Sequence, residues 1–287
     1  MRTQLVVALY GDSLNPPSPS LREWWDETET WATALKVPPN EISGGFKRNP
    51  KGLITHTGYT LARYRSRFIQ QLDRANIEYL DLMRMRPKGG YRTSDWDFCG
   101  LYGPDDSAGA VFTVGIDIER LHDVPGASSR SFSQEAVHRS RSYLKAKYGF
   151  AVSMPKLFMA GGYAIGLASG ELPEDMIDDC NAWSRFSGKE CDRTLRNVYG
   201  CNILNAKHLN ISVGDQRLDD WIEGSAGRGH VEPLGDGLFL WTFQEGDDQD
   251  AFLKWDYPQV VQVREELKRH DIFPWQQFRR EQERPLT

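Results

Sequence analysis

The sequence has few cysteines, and none of them belongs to a metal-binding or redox motif. Its four cysteines, at positions 99, 180, 191 and 201, form no C-x-x-C pair, and no histidine stands at zinc-ligand spacing beside them. Scattered cysteines in a chain of 287 residues are usually reduced and buried. We therefore expect neither a bound metal nor any other cofactor.

Long apolar runs are also missing. No run approaches the ~20 residues that a membrane-spanning helix needs. The N-terminal stretch up to Ser13 has one arginine and a short apolar run, without a small-residue cleavage site, so it predicts a strand and not a signal peptide. Both absences favour a cytoplasmic protein that has no membrane partner.

Motifs of nucleotide-binding and hydrolytic enzymes do not occur either. The glycines at 161, 162 and 166 lack the G-K-[ST] of a P-loop and the G-x-G-x-x-G of a dinucleotide fold, so they predict a turn before a packed strand. The chain contains no H-E-x-x-H and no G-x-S-x-G element. A pair of Cys201 with His208 or His230 could still form in space. We predict no catalytic residue from these patterns.

What the sequence does have is an acidic block. The net charge is −5, but positions 215–256 hold eleven acidic and three basic residues, while the rest of the chain is net positive. Such a block opposes nucleic-acid binding and suits a basic protein partner, although it could also be only a solvated face. Carboxylates beside aromatic anchors are typical of a tight interface. The candidate partner-binding residues are Asp219, Asp220, Trp221, Glu223, Asp247, Asp248 and Asp250.

One pair of carboxylates suggests an enzyme instead. Asp117 and Glu119 stand two apart in an alternating segment, 110–119, which predicts a half-buried antiparallel strand with both carboxylates on one face. Some metal-dependent nucleases hold a divalent cation in this way. The alternative function is therefore a metal-dependent nuclease or hydrolase that uses these two residues, although a full ligand shell is not evident.

Hydrophobic periodicity predicts an α+β fold, with a mixed, largely antiparallel sheet and helices packed on it. The whole chain, 1–287, is predicted as a single domain, and two intimately packed halves, about 1–148 and 149–287, are left open. The predicted segments are strands at 5–10, 77–86 and 110–119, helices at about 20–35, 58–75, 131–148, 173–183 and 257–269, a loop at 38–57, and an Asp236-Gly237 hairpin turn before an apolar strand, 238–243.

Three segments in the last third carry a resemblance to a known family. They read LRNVYGCNILNAKHL (195–209), GHVEPLGDGLFLWTF (229–243) and DYPQVVQVREELKRHDIFPWQQF (256–278). Their order resembles the bacterial type VI immunity family, in which a V-x-W-x-x-x-L strand and turn precede a short helix, a glycine turn with an apolar strand, and a tyrosine-containing helix. The family tryptophan is absent, because Cys201 and Asn202 stand in its place.

The resemblance implies a cytoplasmic antidote that blocks a cognate toxin delivered by type VI secretion. Val198, Leu204 and Leu209 would fill the first element, 237–243 the second and 257–267 the third. The family offers no catalytic residues to carry over. The implied mechanism is steric, since the protein would cover the toxin's active site and perform no reaction itself.

Overall fold

A computed structural model describes residues 3–13, 17–49, 52–74, 77–86, 96–105, 109–140, 143–155, 160–166, 172–184, 190–243 and 250–282. The protein has an α+β fold built on a large antiparallel sheet, as the sequence predicts. The strands are β1 (Thr3–Ser13), β2 (Glu41–Asn49), β3 (Gly52–Thr60), β4 (Ile77–Met85), β5 (Trp96–Asp105), β6 (Gly109–Asp117), β7 (Leu144–Pro155), β8 (Cys201–Asn205), β9 (Ser212–Val213), β10 (Gln216–Arg217), β11 (His230–Gly235) and β12 (Leu238–Thr242).

Helices flank this sheet. They are α1 (Pro17–Ala34), α2 (Leu61–Asp73), α3 (Ile118–His122), α4 (Ser129–Ser140), α5 (Ala160–Ala164), α6 (Glu174–Ala182), α7 (Ala206–Leu209), α8 (Leu218–Glu223), α9 (Pro258–Lys268) and α10 (Pro274–Gln282). Short 3₁₀ turns occupy 226–228 and 251–253. Within the described residues, no helix combines the length and the apolar composition needed to cross a bilayer.

Ten strands of the described residues join in the order β11-β12-β8-β7-β1-β6-β5-β4-β2-β3, and every neighbouring pair is antiparallel. Strands β9 and β10 form a separate hairpin. The sequence left open a division into two halves, about 1–148 and 149–287. The boundary between these halves falls inside strand β7, so one sheet contains strands of both halves.

Strand β1 lies near the middle of the sheet. Its apolar run from Leu5 to Tyr10 is fully buried and pairs with β6 on one side and β7 on the other. A run that is apolar at every position suits a strand covered on both faces. The predicted buried strand is therefore confirmed. Strand β6 is also buried on both faces from Ala110 to Asp117, so the half-buried strand predicted there is wrong in its exposure.

Helices α1 and α2 pack on one face of β2, β4 and β5. A methyl group added at Gly100 would lie 2.9 Å from Thr28 of α1, and one added at Gly44 would lie 2.9 Å from the ring of Phe68 in α2. Leu80 and Leu82 are buried beneath these helices. This packing follows the helical spacing of apolar residues predicted for both segments, and the two helices are confirmed.

The predicted hairpin at Asp236-Gly237 is also confirmed. Both residues have positive φ, 54° and 76°, as a type I′ turn requires. Strand β12 follows and lies between β11 and β8. Its side chains from Leu238 to Thr242 are largely buried, which agrees with the apolar pattern of this stretch.

Three other local predictions are also wrong. The segment 38–57 contains strands β2 and β3 instead of a loop, because Gly44 and Gly45 allow the close approach of Phe68 and Tyr79 and do not form a turn. The helix predicted at 131–148 ends at Ser140, and pairing with β1 makes 144–155 a strand. The segment around Gly161 is helix α5 and not a turn before a strand.

Candidate functional site

The acidic block lies partly on helix α8 and on the hairpin before it. Leu218, Trp221 and Ile222 are the buried residues of this helix, so the carboxylates between and after them face outward. Two of them stand in its first turn, where the helix dipole favours negative charge. We use the name acidic edge for Asp215, Asp219, Asp220 and Glu223, of which Asp215, Asp220 and Glu223 are exposed and Asp219 is partly exposed.

Trp221 attaches α8 to the rest of the protein. Its side chain is only 5% exposed, and the guanidinium of Arg228 stacks 4.0 Å from the ring centroid. Arg228 also donates to the Trp221 carbonyl oxygen at 2.9 Å and to Glu266 of α9 at 3.1 Å. Trp221 is thus mainly an internal anchor of α8.

Two carboxylates of the acidic edge have partners within the protein. The Nε atom of Arg217 donates to Asp219 at 3.1 Å, which leaves this aspartate partly neutralised. Glu223 accepts a hydrogen bond from the backbone nitrogen of Val231 at 3.0 Å and lies 3.1 Å from His230 Nδ1. Asp220 is exposed, and no ion pair involves it among the described residues.

The contact with Glu223 protects the outer edge of the sheet. The backbone N–H of Val231 points away from β12, since it donates a hydrogen bond to Glu223 on α8. Pro233, two residues later, has its nitrogen on the same outer side, where the absence of an N–H costs no ladder hydrogen bond. Together they leave β11 a poor template for pairing with another strand.

The remaining predicted partner residues divide into two groups. Asp247 and Asp248 lie outside the described residues. Asp250 is 7% exposed, and its Oδ2 lies 2.6 Å from His122 Nε2. This contact joins the turn at 251–253 to helix α3 and makes Asp250 an internal group in this structure. A role of these residues in partner binding stays a prediction.

Asp117 and Glu119 do not share one strand face, so the expectation that supported a metal site is wrong. Strand β6 ends at Asp117, and the carboxylate of this residue accepts from the Glu119 nitrogen at 3.0 Å as the N-cap of α3. Arg86 donates to the other oxygen at 2.8 Å. Asp117 is fully buried, whereas Glu119 is exposed on the helix. Among the described residues, no three His, Cys, Asp or Glu side chains converge as a metal shell.

The suggested cysteine–histidine pairs are not supported either. His208 is buried, and its Nδ1 accepts from the Asn205 nitrogen at 3.3 Å in the capping box of α7. Its Nε2 lies 3.3 Å from the Thr194 carbonyl oxygen. Burial lowers the His208 pKa to about 4, so the ring is neutral near pH 7. His230 instead faces Glu223.

A buried charge cluster, which the sequence did not predict, lies beneath α5 and α6. Arg196 is 1% exposed and donates to Asp179 at 3.0 Å and to the Tyr10 hydroxyl at 3.0 Å. The same guanidinium reaches the carbonyl oxygens of Ala164 at 3.0 Å and Tyr163 at 2.9 Å. Burial raises the pKa of Asp179 even though Arg196 acts in the opposite direction.

This cluster holds the loop before β8 against α5 and α6. Its cation is enclosed by aromatic rings, with Trp183 at 5.1 Å, Tyr163 at 4.6 Å and Phe150 at 5.4 Å from the guanidinium carbon. Because Arg196 is only 1% exposed, a ligand cannot reach its guanidinium, and we assign it a structural role. The sequence offered no signal for it, because a lone arginine before an apolar run has no distinctive spacing.

The sequence matches no protein family profile and no curated protein. The fold is similar to a solved structure named as a T6SS protein of Pseudomonas aeruginosa, with a TM-score of 0.49 and 12% sequence identity. The similarity covers 93% of this chain and 73% of that one. No residue role is transferred from it.

Proposed function

We propose that this chain is a cytoplasmic immunity protein that binds a cognate toxin of a type VI secretion system and neutralises it by covering its active site. The protein would perform no reaction of its own. The observation that supports the proposal is the acidic edge, in which exposed carboxylates stand on a helix that the core holds in place. The resemblance of the last third of the sequence to the type VI immunity family points the same way.

The acidic edge suits a basic partner for two physical reasons. Several like charges at one surface steer a cationic protein toward it and raise the association rate. The stacking of Arg228 on Trp221 and its bond to Glu266 fix α8 before binding, so little conformational entropy is lost in the complex. A nuclease, whose surface is basic because it binds nucleic acid, is the class of toxin that fits best.

Co-expression tests this proposal. The gene adjacent to that of the chain is expressed in a laboratory bacterium with and without the wild-type chain, and growth is followed. The proposal predicts that the product of the adjacent gene stops growth when it is expressed alone, and that co-expression of the chain restores growth. A complex that contains both proteins should then be isolated from the co-expressing cells. Growth arrest that the chain does not relieve would refute the proposal.

A further inference from the structure

A pocket lies between helix α8 and the end of helix α9, next to the acidic edge. Its volume is about 260 Å³, and its lining residues are Trp221, Arg228, Glu266, Arg269 and His270. We call it the α8–α9 pocket. Two of these residues belong to the range 190–243 and three to the range 250–282, and the structure describes both ranges without a gap. The lining therefore combines two arginines and one histidine with a single carboxylate.

Arg228 is held in one orientation at this pocket. Its Nε donates to Glu266 at 3.1 Å, its Nη1 donates to the Trp221 carbonyl oxygen at 2.9 Å, and its guanidinium stacks on the Trp221 ring. Its Nη2 makes no hydrogen bond within the part of the chain that the structure describes, and the side chain is 25% exposed. A guanidinium whose plane is fixed and which keeps a free donor nitrogen is preorganised for an acceptor oxygen from outside.

Glu266 supports Arg228 and is already occupied on both oxygens. Its Oε1 accepts from Gln262 at 3.0 Å, and its Oε2 accepts from Arg228. The hydrogen bond from Gln262 lowers the pKa of Glu266, and Arg228 acts in the same direction, so the carboxylate is charged near pH 7. One carboxylate balances one of the two arginines. The lining is therefore positively charged overall, because of Arg269.

The two cationic residues at the end of α9 are accessible to another protein and adjoin the acidic edge. Arg269 is the C-cap of α9, and both Arg269 and His270 are exposed. A methyl group added at Gly214 would lie 3.5 Å from the ring of His270, so the hairpin that carries Asp215 lies against the pocket. The negative and the positive side chains thus belong to one continuous surface.

The charges of this surface determine which anion suits the pocket. Guanidinium groups bind carboxylates and phosphates through charge-assisted hydrogen bonds. A polyanion such as a nucleic acid would have to approach across the acidic edge, which repels it. A single carboxylate that is surrounded by basic groups meets no such barrier, because its neighbours are attracted to the edge while it faces the arginines.

We infer that the α8–α9 pocket receives one aspartate or glutamate side chain of the partner protein, which stands within the basic surface that contacts the acidic edge. The inference rests on the proposed function for the source of that side chain, which is the toxin. The two contacts of opposite sign fix the orientation of the toxin on this chain. A basic protein without a carboxylate at this point would leave Arg269 unmatched where water is excluded, so the pocket contributes to the choice of the cognate toxin.

Two variants test the inference. Arg269→Gln removes the unbalanced cation of the pocket and keeps a polar side chain. Arg74→Gln is the matched control, since Arg74 is also an exposed arginine at the C-cap of a helix, α2. The dissociation rate of each variant from the product of the adjacent gene is compared with that of the wild type. In a second measurement, the Nε–Hε resonance of Arg228 is followed by NMR at constant ionic strength while a probe is added. The probes are acetyl-Ala-Glu-Ala-amide, its glutamine analogue and inorganic phosphate.

The inference predicts that Arg269→Gln dissociates from the adjacent gene product roughly tenfold faster or more, as loss of one member of an enclosed charge pair does, while Arg74→Gln resembles wild type. It also predicts that the glutamate peptide shifts the Arg228 resonance in the wild type and in Arg74→Gln, that Arg269→Gln loses this shift, and that the glutamine peptide causes none. A shift of equal size in Arg269→Gln, or no shift with the glutamate peptide, would overturn it. A shift with phosphate and none with the glutamate peptide would make the pocket a phosphate site and would also overturn it.

These outcomes separate the two proposals. If the wild type fails to bind or neutralise the adjacent gene product, the proposed function fails, and the peptide titration alone then decides whether the pocket binds a carboxylate. If the wild type binds and Arg269→Gln dissociates at the same rate, the proposed function stands and the inference fails.

Discussion

Glu223 of helix α8 accepts a hydrogen bond from the backbone nitrogen of Val231 at 3.0 Å, so a side chain of the acidic edge closes the outer edge of the ten-stranded sheet. The same carboxylate lies beside His230. Glu223 therefore belongs to the charged surface and also stabilises the edge of the sheet. Charge changes meant to test partner binding should avoid it.

Replacement of Glu223 by alanine should expose the β11 edge. We expect a modest loss of about 1 kcal/mol in the free energy of unfolding, because one hydrogen bond to a charged group is removed at an exposed site that solvent screens. We also expect concentration-dependent self-association, measured by sedimentation velocity. The glutamine variant retains an acceptor oxygen and should remain monomeric at the same concentration. Equal association of both variants would contradict the edge-closing role.

His208 should make the protein less stable in acid. Its pKa is about 4 in the folded protein because of burial, below the usual 6.5. Its contribution to stability is therefore complete above about pH 6.5 and is lost as the pH falls toward 4. The loss is up to about 3 kcal/mol, from the difference between the two pKa values. Urea unfolding at pH 7.5 and pH 4.5 measures it. His208→Gln should show a smaller difference between the two pH values, and an unchanged difference would contradict this assignment.

Asp81 should act in the opposite direction. Its pKa is about 6 in the folded protein, above the usual 3.8, because burial disfavours the carboxylate. Its contribution is fully present below about pH 3.8 and is lost as the pH rises through 6. Asp81→Asn should therefore raise the free energy of unfolding at pH 8, by at most about 3 kcal/mol from the difference between the two pKa values. Thermal melts at pH 8 measure the effect, with Asp73→Asn as the control. A destabilised Asp81→Asn protein would mean that the carboxylate supports the fold.

Arg196 should be among the most sensitive positions in the core. Arg196→Met leaves Asp179 buried without its cation, and the loss of one member of a buried pair costs about 3–5 kcal/mol. The double variant Arg196→Met with Asp179→Leu should recover part of that loss, because both charges are then removed. Urea unfolding of the wild type, of Arg196→Met, of Asp179→Leu and of the double variant measures the coupling. Additive effects of the two changes would contradict a direct pair.

The parts of the fold that followed local rules could be predicted from the sequence. The continuous apolar run from Leu5 to Tyr10 indicated a doubly covered strand, and Asp236-Gly237 indicated a type I′ hairpin, since only a few residue pairs adopt positive φ easily. Helices α1, α2 and α9 followed from the helical spacing of their apolar residues. In each case the information lay within about fifteen neighbouring residues.

The features that could not be predicted depend on contacts between distant segments. Gly44 and Gly45 suggested a turn, but the strand needs them because Phe68 and Tyr79 lie against them. Trp221 and Asp250 suggested an exposed interface, yet Arg228 and His122 hold them inside. The partners of Arg196 come from positions 10, 163, 164 and 179, which no local pattern connects.

The most direct test of the proposed function is the rate at which the chain associates with the product of the adjacent gene, compared with the rate for a variant whose acidic edge is charge-reversed. The variant Asp215→Lys with Asp220→Lys changes two exposed residues, and Asp73→Lys with Asp123→Lys is the matched control elsewhere on the surface. The proposal predicts that the first variant associates roughly tenfold or more slowly at low salt, with a smaller difference at high salt, while the control resembles wild type. Wild-type association by the first variant would contradict the claim that the acidic edge receives the toxin.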